Sequence, residues 1–261
     1  MNSELQYHIQ LKVGDVGRYV FLPGDPGRVP LIASRFANPH PVASNREFNT
    51  WAGTLEGEPV AATSTGIGGP SAAIALEELS RIGCTTFLRL GTCGALQEKV
   101  SNGDLIVPAG SVRGGATGLA YVPLSYPAVA DLGMQLSLVE AATALQQRFH
   151  SGLIHCKDAF YLEETERLPA RAAAKAEWET WCRAGVLATE MESDTLFVLG
   201  TLLGLRVGTL LQSVGGLFVA AGPEQLELPD PTAIGRLIDC GVEAMRRIIR
   251  RDRQEGGRTS C

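Results

Sequence analysis

The chain has 261 residues, of which 45% are apolar, 20% charged and 6% aromatic, and its formal net charge is −5. These values are typical of a globular protein with one large or two small domains, and they exclude a disordered or fibrous protein. An acidic chain without a long Lys/Arg tract is also poorly suited to wrap nucleic acid or bind an anionic membrane. We therefore expect a small ligand, and any anion must be held by a few well-placed groups.

Short apolar runs alternate along the chain with longer helical patterns. The apolar runs predict seven strands, at residues 19–22, 60–65, 86–90, 105–107, 152–155, 186–190 and 207–214. Several of these runs are apolar on both faces, so we expect a sheet covered by helices on two sides. The helical patterns predict six helices, at residues 26–36, 71–82, 128–148, 165–183, 193–203 and 231–250.

The organisation of the chain indicates one domain. No linker or internal repeat divides it, so residues 1–250 predict a single α/β domain. Residues 251–261 predict a flexible tail, with a phosphate-binding arm as the alternative. No secretory signal is recognisable, and the six cysteines contain no CxxC pair. We therefore expect a cytoplasmic protein without a disulfide framework or zinc site.

Three glycine-rich turns follow predicted strands, which is where ligands of α/β sheets usually bind. In the first, residues 23–28, a glycine lets the backbone approach a ligand, and Arg28 lies in the first turn of a helix, a good anion site. The second, residues 64–71, fits neither the Rossmann fingerprint nor a P-loop. In the third, residues 89–94, Arg89 lies near the end of an apolar strand and needs a partner or a ligand. Ordinary turns and a structural salt bridge are the alternatives.

Two carboxylates, Glu190 and Glu192, flank Met191 at the end of a predicted strand. On a strand they would share one face. They could accept hydrogen bonds from sugar hydroxyls or form an acid/base pair of the glycosidase kind. Alternatively, Glu192 begins the next helix, where negative charge is favoured. Hydrolase and metalloprotease motifs are absent from the sequence, so the pattern predicts an α/β enzyme that surrounds an anion with arginines.

Five motifs taken together resemble the nucleoside phosphorylase-I family: PGDPGR (23–28), SNREF (44–48), STGIGGPS (64–71), RLGTCGA (89–95) and ATEMES (188–193). The resemblance implies a three-layer α/β/α fold with a central mixed, barrel-like twisted sheet. It implies a pentosyltransferase that cleaves a ribonucleoside, most closely uridine, with inorganic phosphate as co-substrate and no organic cofactor. It also implies a homo-oligomer, with a dimer as the smallest active unit and usually a hexamer.

The resemblance assigns roles to residues at matching positions. Phosphate would be bound by Gly24, Arg28, Arg89 and Thr92, with Arg46 contributed by a neighbouring subunit. Ribose would be held by Thr92, Met191 and Glu192, with the neighbour's His8 at its 5′ end. The base would meet Phe160, Arg167, Glu190 and Glu163. A monovalent cation, typically potassium, would lie between subunits on Glu47, Ile67 and Ser71.

The base pocket departs from the family pattern at two places. The family's glutamine that hydrogen-bonds to uracil is missing, and Glu163 or Glu164 stands nearest to its position. An ionised carboxylate accepts hydrogen bonds but does not donate them. The loop after the last predicted strand lacks the arginine of the uridine enzymes. Gly215 stands where purine-cleaving relatives have an aspartate. The alternatives are therefore a phosphorylase of altered base specificity and a weakly active nucleoside-binding paralogue.

Overall fold

The computed structural model describes residues 4–161, 169–215 and 230–258. Its strands are β1 (Tyr19–Pro23), β2 (Ala37–Asn45), β3 (Phe48–Leu55), β4 (Glu58–Thr63), β5 (Thr86–Ala95), β6 (Leu105–Arg113), β7 (Ala128–Val129), β8 (Phe149–Cys156), β9 (Ala188–Glu190) and β10 (Arg206–Ser213). Its α-helices are α1 (Arg28–Ala33), α2 (Gly69–Arg81), α3 (Leu132–Ala144), α4 (Arg171–Arg183), α5 (Ser193–Leu202) and α6 (Pro231–Arg258), and a 3₁₀ turn spans Thr117–Ala120. Within these ranges, no helix has the length and apolarity needed to cross a bilayer.

The strands form one mixed sheet that closes on itself. From β10 the order is β6, β8, β9, β5, β1, β4, β3 and β2, with β7 paired to β6. Because β10 also pairs with β5, the strands β10, β6, β8, β9 and β5 form a five-stranded barrel, from which the remaining strands extend as an open sheet. The predicted mixed, barrel-like sheet is confirmed.

Helices cover the sheet on both faces, as the apolar runs indicate. Tyr19 and Phe21 of β1 pack into a cluster with residues of α1, α3 and α6, whereas Val20 and Leu22 pack into a second cluster with residues of α2 and α5. The alternation follows from the period-two geometry of a strand. The three-layer α/β/α expectation is therefore confirmed.

The predicted strands all overlap observed strands, but three observed strands were not predicted: β2, β3 and β7. The helix predicted at 128–148 is wrong at its start, because Ala128 and Val129 pair with β6 and the helix begins only at Leu132. The Asp131 carboxylate accepts a 2.9 Å hydrogen bond from the backbone N–H of Met134, which fixes this start.

The last helix extends beyond its predicted end at residue 250. Helix α6 continues to Arg258. Arg206 holds Asp252 with hydrogen bonds of 2.6 and 2.7 Å, and Arg253 donates to Glu58 at 3.1 Å. These contacts with distant residues attach the end of the helix to the sheet.

Candidate active site

A cavity of about 820 Å³ lies at the carboxyl ends of β1 and β4 and alongside β5. Segments that are far apart in the sequence contribute its walls, namely Gly24, Asp25, Pro26, Arg28, Glu47, Gly66, Ile67, Arg89, Gly91, Thr92, Phe160, Tyr161, Glu190, Met191 and Glu192. Most of the residues assigned to ligand binding in the sequence are thus brought together.

Arg89 is a buried cation in this cavity wall. Its side chain is only 5% exposed, its Nε donates to Glu190 at 3.0 Å, and its Nη2 lies 2.5 Å from a Glu192 oxygen. Burial alone would lower the pKa of Arg89, but the two carboxylates outweigh burial and raise it. A Cβ at position 91 would lie 2.8 Å from the guanidinium, so Gly91 leaves the space that Arg89 occupies. The buried charge therefore has both partners and access to the cavity.

Glu190 anchors the arginine and the following helix. Its carboxylate accepts hydrogen bonds from the backbone N–H groups of Glu192 (3.1 Å) and Ser193 (2.9 Å), at the start of α5. Negative charge is favourable at a helix N-terminus. Glu190 lines the cavity, but both oxygens are already engaged, and contact with the base stays a prediction.

Glu192 precedes the first residue of α5, so it does not continue β9 beside Glu190. Its Oε1 accepts a 2.6 Å hydrogen bond from the backbone N–H of Gly68, in the second glycine-rich turn. Burial raises the pKa of Glu192, and the negative charge of Glu190 adds to the rise against the opposing effect of Arg89. Glu192 thus places hydrogen-bond acceptors on the cavity wall beside a cation.

The first glycine-rich turn supplies a second guanidinium. Arg28 is 12% exposed, and its nearest carboxylate, Asp25, is 3.8 Å away. Burial lowers the pKa of Arg28, and the positive charge of Arg89 lowers it further. A Cβ at Gly24 would lie 3.1 Å from the carbonyl oxygen of Gly66 and 3.8 Å from Arg89 Nη1, so the two glycine-rich turns and Arg89 lie close together here. The loosely paired Arg28 and the guanidinium of Arg89, beside a glycine turn, together offer hydrogen-bond donors and positive charge to an anion.

Part of the cavity wall is aromatic. The Phe160 and Tyr161 rings meet edge to face, with centroids 4.9 Å apart, and Phe160 is 39% exposed. Aromatic faces of this kind bind planar ligands by stacking. Arg167 and Glu163 lie outside the described residues, as does the segment 216–229 after β10. Their predicted contacts with the base remain predictions.

The hairpin between β2 and β3 brings Glu47 to the cavity. Ser71 donates a 2.7 Å hydrogen bond to Glu47, and its hydroxyl also contacts the carbonyl of Thr65. Hydrogen bonds from its own backbone N–H and from Ser71 lower the pKa of Glu47. Ile67 is 79% exposed at the rim. The structure therefore brings the three residues of the predicted cation site to one side of the cavity.

His8 and Arg46 lie away from the cavity walls. The His8 Nδ1 is 2.7 Å from Glu78, and the His8 carbonyl accepts a 2.7 Å hydrogen bond from Asn45. Arg46 is exposed at the tip of the hairpin with a φ of 54°. Both residues are close enough to Glu47 to lower its pKa, and neither lines the cavity of its own chain.

The structure also shows residues that the sequence pattern missed. Tyr161 and Asp25 line the cavity, and their proximity to Phe160 and Arg28 in the sequence was the available signal. Lys157 and Gln212 are buried polar residues near it, and nothing in the pattern indicated that their side chains are buried. The Gln212 amide has no hydrogen-bond partner in the described part of the chain.

The profile of the phosphorylase superfamily matches residues 18–228. The chain therefore belongs to the phosphorylase superfamily. It is 40% identical to a uridine phosphorylase of Treponema pallidum, over 96% of this chain and 97% of that protein. It is 41% identical to a uridine phosphorylase of Thermococcus kodakarensis, over 93% and 90%. It is also 40% identical to a guanosine phosphorylase of Halorubrum lacusprofundi, over 86% and 89%.

Proposed function

We propose that the protein catalyses the phosphorolysis of uridine to uracil and ribose 1-phosphate. The observation that carries the proposal is Arg89, whose guanidinium contacts Glu192 and lies near Gly24 in a cavity that is also lined by Phe160 and Tyr161. Anion, sugar and base thus each have a complementary surface in one cavity, whose volume is within the usual range for small-molecule sites. The uridine phosphorylases at about 40% identity support this choice of substrate.

The geometry suggests how each group contributes. Arg28 and Arg89 hold phosphate against Gly24 and Thr92, below the sugar, while Glu192 accepts hydrogen bonds from ribose hydroxyls. As the C1′–N bond breaks, positive charge develops on the sugar, and the phosphate oxygen stabilises this charge and forms the new C1′–O bond. The bonding electrons leave with the base, which then takes up a proton. Fixing nucleoside and phosphate together supplies much of the rate enhancement.

A second candidate is a phosphorylase of altered base specificity. It is favoured by the 40% identity to a guanosine phosphorylase. It is also favoured by the sequence after β10, where the arginine of the uridine enzymes is missing and Gly215 replaces the aspartate of purine-cleaving relatives. In both candidates the phosphate and ribose contacts are the same, and only the base contacts differ.

The proposal includes a homo-oligomer in which one subunit contributes residues to the cavity of its neighbour. His8 and Arg46 both lie near Glu47, and a second copy docked at this surface would bring the pair to a neighbouring cavity. The oxygen donors of Glu47 and Ser71, with the backbone of Ile67, fit a hard cation such as potassium at this boundary. A dimer-based hexamer and a cytoplasmic role in pyrimidine salvage complete the proposal.

The decisive experiment incubates the purified protein with uridine, with and without inorganic phosphate. We expect uracil and ribose 1-phosphate only when phosphate is present. Equal release of uracil without phosphate would contradict phosphorolysis. A parallel panel of cytidine, thymidine, inosine and guanosine, analysed by chromatography of the free base, separates the two candidates. Tight calorimetric binding without turnover of any nucleoside would instead identify a binding paralogue.

A further inference from the structure

Lys157 is a buried ammonium directly behind the aromatic wall of the cavity. It follows β8, is 7% exposed, and its backbone N–H donates a 3.0 Å hydrogen bond to the carbonyl of Glu190. Its backbone is therefore fixed to the end of β9, the segment that carries the carboxylates of the site. A lysine is rarely buried to this extent unless its charge is compensated.

The contacts of the ammonium group within the described residues include two aromatic rings and a carbonyl. Its Nζ donates a 3.1 Å hydrogen bond to the carbonyl of Phe160, lies 5.5 Å from the centroid of the Phe160 ring, and lies 4.8 Å from that of Trp178. Trp178 is 5% exposed on α4. The side chain thus connects the cavity wall to a helix on its outer side by cation–π contacts.

We propose that Lys157 is a positioning residue that fixes the Phe160 ring and thereby determines the affinity for the nucleoside. Phe160 lines the cavity and is 39% exposed. Lys157 restrains both its backbone and its ring. A ring held in one orientation loses less conformational entropy when a base stacks on it.

The charge of Lys157 acts through the cation–π contact, which holds the Phe160 ring and does not touch the base itself. The effect reaches the base only through Phe160, so the phosphate contacts of Arg28 and Arg89 are expected to be unaffected. This inference rests on the proposed function, because it takes the planar ligand at Phe160 to be a nucleobase.

The test compares Lys157→Met, Lys157→Arg and the control Lys175→Met, which removes an exposed lysine from α4. We expect Lys157→Met to raise the KM for uridine about 3- to 30-fold, the range that corresponds to a cation–π contact, with the KM for phosphate changed less than twofold. Lys157→Arg keeps the charge and the donor and should recover most of the affinity. Lys175→Met should match the wild type.

Two results would overturn the proposal. One is an unchanged KM for uridine in Lys157→Met. The other is a parallel loss of kcat, both KM values and thermal stability that Lys157→Arg does not relieve, because this pattern indicates a structural role alone. Calorimetric titration of each variant with uridine and uracil keeps the test independent of turnover. If the wild type releases no base, the proposed function fails, whereas the dissociation constants still decide the role of Lys157.

Discussion

At the scale of single residues, the two arginines of the cavity are held in different ways. Arg89 is paired with two buried carboxylates, whereas Arg28 has only a partly exposed aspartate at 3.8 Å. Exposed or loose ion pairs contribute about 0–1 kcal/mol to stability, but removal of one partner from a buried pair costs about 3–5 kcal/mol. Substitution of Arg28 should therefore affect mainly ligand binding, whereas substitution of Arg89 should affect both ligand binding and the stability of the fold.

We expect Arg28→Gln to raise the KM for phosphate about 10- to 100-fold, which corresponds to one charge-assisted contact, and to leave the unfolding free energy nearly unchanged. Arg89→Gln should abolish phosphorolysis and also destabilise the fold, because Glu190 and Glu192 lose their counter-charge. Steady-state kinetics and urea unfolding measure the two effects, with the exposed Arg81→Gln as control. Full activity of Arg89→Gln would refute the phosphate assignment.

Gln212 allows a separate test of polar burial. Both polar atoms of its amide are buried without a hydrogen-bond partner among the described residues, and a buried unpaired polar group costs about 1–3 kcal/mol. Gln212→Met keeps the length of the side chain and removes that cost. We expect its unfolding midpoint in urea to increase. A lower midpoint would show that the amide has a partner in the folded protein.

The buried His155 should make the free energy of unfolding depend on pH. Burial, and then the charge of Lys157, lowers its pKa from 6.5 to about 4 in the folded protein. The unfolded chain binds the proton near pH 6.5, so stability falls as the pH drops from 6.5 toward 4, by an amount on the order of 3 kcal/mol. In urea unfolding across this window, His155→Asn should lose less stability than the wild type. The exposed His40→Asn should keep the wild-type slope.

Functional residues could be predicted from the sequence where the chemistry of a side chain conflicts with its local pattern. Arg89 in an apolar strand must find a partner, and the acids Glu190 and Glu192 are those partners. Lys157 and Gln212 could not be predicted in this way. Lysine and glutamine near the ends of strands are usually exposed, and only the packing of α4 or of the barrel buries them.

At the scale of elements, the hairpin of β2 and β3 was missed because β2 carries little local signal. Its nine residues are exposed or half-buried and include two prolines, a composition typical of an edge strand or a loop. Pairing with β3 forms the strand, which is a non-local contact. Strand β3 alternates between buried and half-buried residues, and this pattern was detectable at Phe48, Thr50 and Ala52.

Helix α6 offers a test of packing against β5 with an internal control. A Cβ at Gly241 would lie 2.6 Å from Leu90 in the core, whereas a Cβ at Gly235 meets nothing within 4 Å. Gly241→Ala should therefore destabilise the protein by about 1–3 kcal/mol through overpacking. Gly235→Ala should stabilise it by about 0.5–1 kcal/mol, because alanine favours the helix. Thermal unfolding of both variants measures the difference, and an equal effect at both sites would contradict close packing at Gly241.

At the scale of the whole molecule, closure of the barrel was predicted from the family resemblance and not from the apolar pattern. Strand β5 has ten residues and pairs with β1, β10 and β9, so it connects the open sheet to the barrel. Hydrophobic periodicity identified its first five residues but carries no information on which strands become neighbours. The cavity forms beside this shared strand, and Arg89 therefore contacts acids that follow it by about a hundred residues.

The proposed exchange of residues between subunits can be tested by complementation. Arg28 lines the cavity of its own chain, whereas Arg46 is exposed and is proposed to serve the neighbour. Arg28→Gln and Arg46→Gln should each weaken phosphate binding when assembled alone. In a one-to-one mixture, unfolded and refolded together, a mixed dimer contains one cavity with an intact Arg28 and an intact Arg46 from its partner. Random assembly should therefore restore about a quarter of the sites. If Arg46 served its own chain, every cavity would keep one defect, and mixing would restore no activity.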